Sequence, residues 1–508
     1  MKPHFYILFL CLATTITSYS QLDRPLRAEI GLSNAGVQPF ALINLENKGI
    51  LVHTATSENN RSAQNNIQDF FFYDIFLRQQ WHIRTRFPNE YAVVNHAVHN
   101  GLLQLIIRNQ VYRNTHTPTF LMNVNLLTGN YTMDTLFSLA RTPTFAGFVH
   151  NSRVWLVQVD RWDCSVNTAK VGDSVLFKYD FPRFSNQEVI DAALDTISQK
   201  LYVLYGENTR RDNFFTLAVF DTVANLLLSQ EIRLNDDSRP IQAGLRFDPN
   251  GKLLIHGTYN LTSERQRFEH VDRLTPAAGF FSLSFDGSTT QLLSLQNFAD
   301  FDSIDIRVSP EQAQTLRQRR SRRQQPFSLD ILVPFQLKTV AENSFLIGES
   351  VSREYRTSTQ TYHDYYGRVI PFTSTVFEGY RFNDAFIWIL DSNGNTRRNF
   401  VTDISMTLNT KTLTNKVALS VSNNETVILF ANATNVFYKT LDPYETAYQT
   451  LRLQPLHRGD RIVEDQDSRI FNWYDSHFLV VGYQTIQNNS LRTGNRRTVF
   501  YLSKVSLD

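Results

Sequence analysis

The chain has 508 residues, with 50 Lys and Arg against 48 Asp and Glu, a formal charge of +2. So even a balance argues against a dedicated nucleic-acid binder, and no nucleic acid is expected as a partner. With 38 Phe and 21 Tyr but only 4 Met and 2 Cys, the composition suits strands, whose pleated faces pack rings, and leaves no disulfide scaffold to build on.

The first twenty residues read as a signal peptide. Lys2 gives the positive start, Phe5 to Leu12 the short apolar core, and Ser18-Tyr19-Ser20 a small-x-small cleavage site before Gln21. The apolar run is too short for the roughly 20 residues of a membrane span, so the chain is expected not to span a membrane. Cys11 follows Leu8-Phe9-Leu10, but a bulky Leu stands where a lipoprotein box needs a small residue, so cleavage is preferred to lipidation. The expectation is an exported protein, periplasmic, on the outer surface or extracellular. In the processed chain Cys164 has no partner for an intrachain disulfide, and stability must come from a large core.

From residue 21 onward a unit of roughly 50 residues recurs, the signature of a stacked repeat. Second strands are expected to begin near Leu51, Leu102, Val154, Leu201, Leu253, Phe345, Val427 and Phe478. Third strands follow at Phe70–Ile75, Phe120–Val124, Val175–Tyr179, Phe215–Phe220, Phe280–Phe285, Phe386–Leu390, Val436–Lys439 and Val499–Ser503. Turn residues punctuate them, as in Asn250-Gly251, Asp286-Gly287 and Asp391-Ser392-Asn393-Gly394. The fold class expected is all-β, a single β-propeller of eight blades over residues 21–508. Seven blades or a pair of stacked sandwiches are the alternatives. The last unit lacks a fourth strand, and Ala28–Leu32 is expected to supply it, closing the ring and covering an otherwise free edge.

Long segments gather on one side of such a disc, at the second-to-third connections: Ser57–Gln68, Asn109–Pro118, Asp160–Asp173, Thr258–Ala278, Ser350–Asn383 and Gln484–Arg497, with Ser303–Pro326 between units. Within the insertion near 303–326, Ser309-Pro310-Glu311 opens a helix that runs into Arg317, Arg319, Arg320, Arg322 and Arg323. That cluster fits a solvated basic loop, an anion site or a processing site. The insertion near 350–383 is rich in Tyr and Arg, including Tyr355, Tyr362, Tyr365, Tyr366 and Arg368. Flat rings with polar tips beside directional donors suit a recognition surface; the alternative is an extended hairpin whose tyrosines pack on each other. Arg210, Arg211, Arg265 and Arg267 fall in loops of the same side. So do the acid–base candidates His270, Asp272 and His363, although adjacency in sequence brings no converging geometry. Neither metal-ligand spacing nor a nucleotide or cofactor motif is present, so no cofactor is expected. Asn60, Asn130, Asn260, Asn424, Asn432 and Asn488 begin glycosylation sequons.

Around Asp248-Pro-Asn-Gly-Lys-Leu-Leu-Ile-His-Gly257 and Phe281-Ser-Leu-Ser-Phe-Asp286-Gly287 the chain resembles repeat units of secreted bacterial β-propeller proteins. The resemblance covers one unit well and those near Asn343–Gly348, Asp391–Gly394 and Asn423–Asn432 in part. It implies a cell-envelope or extracellular setting and transfers no catalytic residue. The functional expectation is a monomeric binding or scaffold protein whose loop-rich side holds an anionic glycan or a protein. A hydrolase or lyase of anionic polysaccharide and a structural component of a surface assembly are the other readings.

Overall fold

The computed structural model describes residues 26–32, 40–57, 65–88, 91–109, 113–160, 163–173, 175–182, 187–207, 214–248, 250–261, 274–302, 329–332, 335–340, 343–363, 365–408, 413–422, 425–441, 447–457, 459–488 and 496–507. Among them strands dominate and no α-helix occurs. The segments expected as a signal peptide and as an arginine-rich helix (309–323), with Arg210, Arg211, Arg265, Arg267, His270 and Asp272, lie outside the described residues. Two compact units divide the chain, one of Met1–His53, Phe71–Gln80 and Lys416–Asp508, the other of Thr54–Phe70 and Trp81–Asn415.

The described strands form eight sheets, taken here in chain order. The first holds β2 (Phe40–Asn44), β3 (Ile50–Ser57), β4 (Asn65–Tyr73) and β5 (Gln79–Pro88); the second β6 (Tyr91–His99), β7 (Leu102–Asn109), β8 (Arg113–Asn125) and β9 (Tyr131–Arg141). The third holds β10 (Thr144–His150), β11 (Arg153–Val159), β12 (Cys164–Lys170) and β13 (Leu176–Asp180); the fourth β14 (Gln187–Asp195), β15 (Lys200–Glu207), β16 (Phe215–Phe220) and β17 (Leu226–Ile232). The fifth holds β18 (Ser238–Phe247), β19 (Leu253–Leu261), β21 (Gly279–Phe285) and β22 (Thr290–Asn297). Between them β20 (Leu274–Ala277) crosses to the sixth, which adds β23 (Leu329–Leu332), β24 (Gln336–Val340), β25 (Asn343–His363), β26 (Val369–Leu390) and β27 (Thr396–Leu408). The seventh holds β28 (Val417–Ser422), β29 (Glu425–Asn432), β30 (Asn435–Thr440) and β31 (Gln449–Arg452). The eighth takes β32 (Asp460–Asn472), β33 (His477–Asn488) and β34 (Arg496–Ser506) and is completed by β1 (Arg27–Gly31). A succession of antiparallel sheets, seven of four strands and the sixth of six, with the first strand joined to the last sheet, is the strand topology of a β-propeller.

Every expected second strand is a second strand. The expected N-terminal contribution is there too: β1 pairs antiparallel with β34 from Arg27 opposite Ser503 to Gly31 opposite Val499. One third strand is misplaced. Val175–Tyr179 falls largely in β13, the fourth strand, and the third is β12, inside the stretch read as the loop Asp160–Asp173. The sequence Cys-Ser-Val-Asn-Thr-Ala-Lys hides this strand because half its buried residues are polar. Asn167 is fully buried, donating to Gln158 Oε1 and Ser165 Oγ at 3.0 Å each, which lets a polar side chain occupy a core position.

Turns and cores explain why the repeat folds. Asp74, Asp221 and Asp391 each end a third strand and accept two backbone N–H groups of the following turn at 2.8–2.9 Å. Asp248 does the same after a first strand, accepting from Asn250 and Lys252. These turns also need residues at positive φ, met by Gly251 at 81° and Gly394 at 80°. Sheet faces then close on one another in chain order. Ile106, Leu121, Val154 and Leu156 join the second and third sheets; Trp155, Val166, Val203 and Phe220 the third and fourth. Leu217, Leu245, Ile255 and Phe281 join the fourth and fifth, and Phe280, Leu346 and Trp388 the fifth and sixth. In the other unit Leu429 and Val480 join the seventh and eighth sheets, and Val52 and Leu502 the eighth and first.

First strands carry a repeated polar device that the sequence reading missed. A bulge precedes Asn95 in β6 and Asp191 in β14. Each side chain accepts the next residue's backbone N–H and also reaches the first strand of the following sheet, Asn95 donating to Gly147 O and Asp191 accepting from Leu245 N at 2.7 Å. Burial raises the Asp191 pKa despite its two backbone hydrogen bonds.

Candidate functional site: a hairpin longer than its sheet

β25 and β26 run for 21 and 22 residues, although only their inner ends pair with neighbours in the sixth sheet. β24 pairs with Asn343 to Ile347, β23 meets Ser350, and β27 pairs with β26 no further out than Tyr380. Beyond these points the two strands pair only with each other among the described residues, from Tyr355 opposite Phe377 to His363 opposite Val369. Eight residue steps at about 3.4 Å make an arm of about 27 Å. The segment Ser350–Asn383, read from sequence as the largest loop, is thus almost wholly strand.

A polar clasp marks the arm's base. Bulges interrupt both strands, at Glu349/Val351 and at Phe382/Asp384. There Ser350 Oγ accepts from Asp384 N at 3.0 Å and donates to Asp384 O at 3.2 Å, and Asn383 Nδ2 donates to Ser352 Oγ at 3.3 Å. Bulges sharpen local twist, which re-aims the strands as they leave the sheet.

Cross-strand partners share a face, so the uninterrupted register from Tyr355 to His363 fixes the arm's two sides. One side carries Arg356 and Val376, Ser358 and Ser374, Gln360 and Phe372, Tyr362 and Ile370. The other carries Tyr355 and Phe377, Thr357 and Thr375, Thr359 and Thr373, Thr361 and Pro371, His363 and Val369. The first side sets Tyr362, Ile370, Phe372 and Val376 among polar residues; the second has a central threonine ladder, whose Thr359 and Thr373 hydroxyls lie 3.3 Å apart, between Tyr355 and Phe377 at one end and Val369 at the other. Large apolar groups stand in solvent, with Phe372 54% and Val376 59% exposed.

The five expected arm residues therefore do not converge. Tyr362 lies on the apolar side and Tyr355 on the opposite one, edge-on to Phe377, which continues to Tyr380. Tyr365, 96% exposed, meets Tyr366 edge-on at the tip, and Arg368 stacks over Tyr366 at 5.7 Å. The segment is the extended hairpin of the second expectation, and although some of its tyrosines contact rings, all four stay open to solvent. His363 closes the tip, its Nδ1 3.3 Å from Gly367 O, and no carboxylate pairs with it among the described residues. Ile370, Phe372 and Val376 were missed, although their spacing by even numbers along Val369–Val376 is the period of a strand face.

Elsewhere, acidic and basic groups meet in structural roles. In β4 and β5 the buried Asp69 carboxylate accepts from Arg84 Nε at 2.8 Å and lies 2.6 Å from His82 Nε2. Burial works to raise its pKa, but the Arg84 and His82 hydrogen bonds outweigh it and hold the group below the usual range. His256 in β19 is fully buried opposite Ser282, with no hydrogen-bond partner for either ring nitrogen among the described residues. Burial, reinforced by Arg246, pushes its pKa down to about 3. No cluster of three or more His, Cys, Asp or Glu able to hold a metal occurs among the described residues. Nor is any helix there long and apolar enough to cross a membrane.

No protein-family model matches the chain, and no curated protein does. Solved structures align over most of its length at low similarity. The polysaccharide lyase Uly1 shares 10% identity over 82% of this chain and 90% of its own, with a TM-score of 0.37. The Dos1 propeller shares 10% over 80% and 89%, at 0.38. The β-propeller domain of the Trilobed protease from Pyrococcus furiosus shares 8% over 83% and 97%, at 0.33. The fold is read from this chain's own strand order.

Proposed function

We propose that the protein is a binding protein, each sheet one blade of its propeller, and that the aromatic–aliphatic side of the β25–β26 arm is its recognition surface. One observation carries the reading: Tyr362, Ile370, Phe372 and Val376 share one face of a hairpin that leaves its sheet, with Arg356 beside them. Exposed apolar residues on one ordered face mark interaction sites, and aromatic and arginine side chains supply most of the energy in such contacts. Val, Ile and Phe match a protein surface better than a polyanion, so a protein partner is favoured over the anionic glycan that the arginine loops suggested.

The test is a photo-cross-linking residue placed at Phe372 or at Thr373 in the full chain, irradiated in the native host. A discrete adduct to one other protein from position 372, and none from its neighbour on the threonine side, is expected. Equal labelling from both positions, or none from 372, removes the surface. Salt-sensitive binding of the purified protein to acidic glycans on an array, retained after Phe372→Ser, would put the anionic-glycan reading in its place.

A further inference from the structure

The arm's edges carry information separate from its faces. A two-stranded ribbon with solvent on both sides is marginal alone, and long unpaired edges are templates for further strands. From Tyr355 to His363 every residue of β25 is exposed except the half-buried Ser358. The two edges are unequal. On β26, Pro371 has no N–H to offer and interrupts the row of donors. On β25 the run Thr357-Ser358-Thr359-Gln360-Thr361-Tyr362 has no proline, no glycine and no charge.

We propose that the β25 edge pairs with the β25 edge of a second copy of this chain, antiparallel about a two-fold axis at Thr359. The resulting four-stranded sheet runs β26-β25-β25-β26. Self-pairing is favoured because the sequence complements itself in this register. Ser358 faces the partner's Gln360 and Thr357 the partner's Thr361, small β-branched or polar pairs that suit adjacent strands. Arg356 falls opposite the partner's Tyr362 on the same side, placing a guanidinium beside a ring rather than beside a second cation. Nowhere between residues 356 and 362 do like charges meet, the condition an isologous contact must satisfy.

A two-fold axis perpendicular to the sheet keeps each side of the ribbon on its own side. The two apolar faces then merge into one, and the two threonine ladders merge on the reverse. The pairing thus doubles the surface assigned above, but it rests on the edge alone and stands whether or not that surface binds another protein.

Sedimentation velocity of the purified full chain at tens of micromolar tests it, together with two single cysteines. Residue 359 lies opposite its own copy, within the Cα separations a disulfide accepts. Thr359→Cys is expected to give a covalent dimer on mild oxidation, while Ser374→Cys on β26 does not; the native Cys164 is buried. Thr359→Lys sets two ammonium groups against each other and is expected to move the wild-type dimer to the monomer mass with unchanged thermal stability. A monomeric wild type, or cross-linking from Ser374→Cys as efficient as from Thr359→Cys, would overturn the proposal. Loss of the 372 adduct with the dimer intact would count only against the binding surface.

Discussion

β1 and the β25–β26 arm are both additions to a meander, and they are built in opposite ways. β1 closes an edge and buries its polar groups with partners. Arg27, nearly buried, donates to Glu29 Oε1 at 2.8 Å and Gln484 Oε1 at 2.6 Å and lies 4.6 Å from the Tyr501 ring centroid. Arg497 joins Glu29 at 2.9 Å and Asp460 at 2.5 Å, and Asn488 also donates to Asp460. The Asp460 bond, chiefly, raises the Arg497 pKa. The arm opens edges instead, and the ion pair at its base, Arg381 with Glu354, is long, at 3.9 Å, and exposed. Where β1 is added the polar groups are paired and hidden; where the arm is added and left open, apolar side chains stay in solvent.

The comparison breaks most severely at Arg27. Replacing it with Ala takes one of two arginines from the buried Glu29 carboxylate, which keeps Arg497, and removes the tie from β1 to β33. Loss of a hydrogen bond to a buried charged group costs about 1.5–3 kcal/mol. Chemical denaturation should show that loss together with early proteolysis near the N-terminus; an unchanged midpoint would mean that β1 adds little to the eighth sheet.

How much of this was legible depended on whether apolar residues carried the signal. β3, β7, β11, β15, β19 and β33 announce themselves because their cores are continuous aliphatic or aromatic runs, and strands buried on both faces must be. β12 is invisible by that rule, since Asn167, Thr168 and Ser165 are buried on hydrogen bonds that only the fold creates. β1 was read by elimination, from a sheet lacking a fourth strand. The arm's length and its tyrosines were legible, but its two-sidedness was not: a shift of one residue in register exchanges the faces, and nothing local fixes that register. Arg27 reads as an ordinary surface residue until Gln484 and Tyr501 are brought beneath it.

A smaller effect is expected at His256, where the paired interior of the propeller has a gap. Its folded pKa, about 3, lies below the 6.5 of an exposed imidazole. Between these values the unfolded chain holds the extra proton, so stability contributed by the neutral ring is complete above pH 6.5 and is lost as pH falls toward 3. One proton gives a slope of at most about 1.4 kcal/mol per pH unit. His256→Leu, close in volume and without unpaired nitrogens, should flatten the pH dependence of Tm between pH 4 and 6 and leave neutral-pH stability equal or higher. A steeper acid loss in the variant would show that another group governs that window.

The smallest effect on stability belongs to the arm, and that smallness separates the two regions. Tyr362→Ala with Phe372→Ala removes two large side chains, but both are more than half exposed, so little apolar surface returns to water. Surface changes of this kind stay within about 0.5 kcal/mol each. Tm should move by no more than a degree or two while any partner affinity disappears. If Tm instead falls as far as it does for Arg27→Ala, the rings hold the hairpin together and the arm is a stabilising element like β1. If Tm holds and binding holds as well, the partner contacts the threonine side, where Thr357, Thr359 and Thr373 become the residues to exchange next. Stability and binding respond independently only where side chains are ordered without being buried, and the register of β25 against β26 puts that condition on the arm's apolar face.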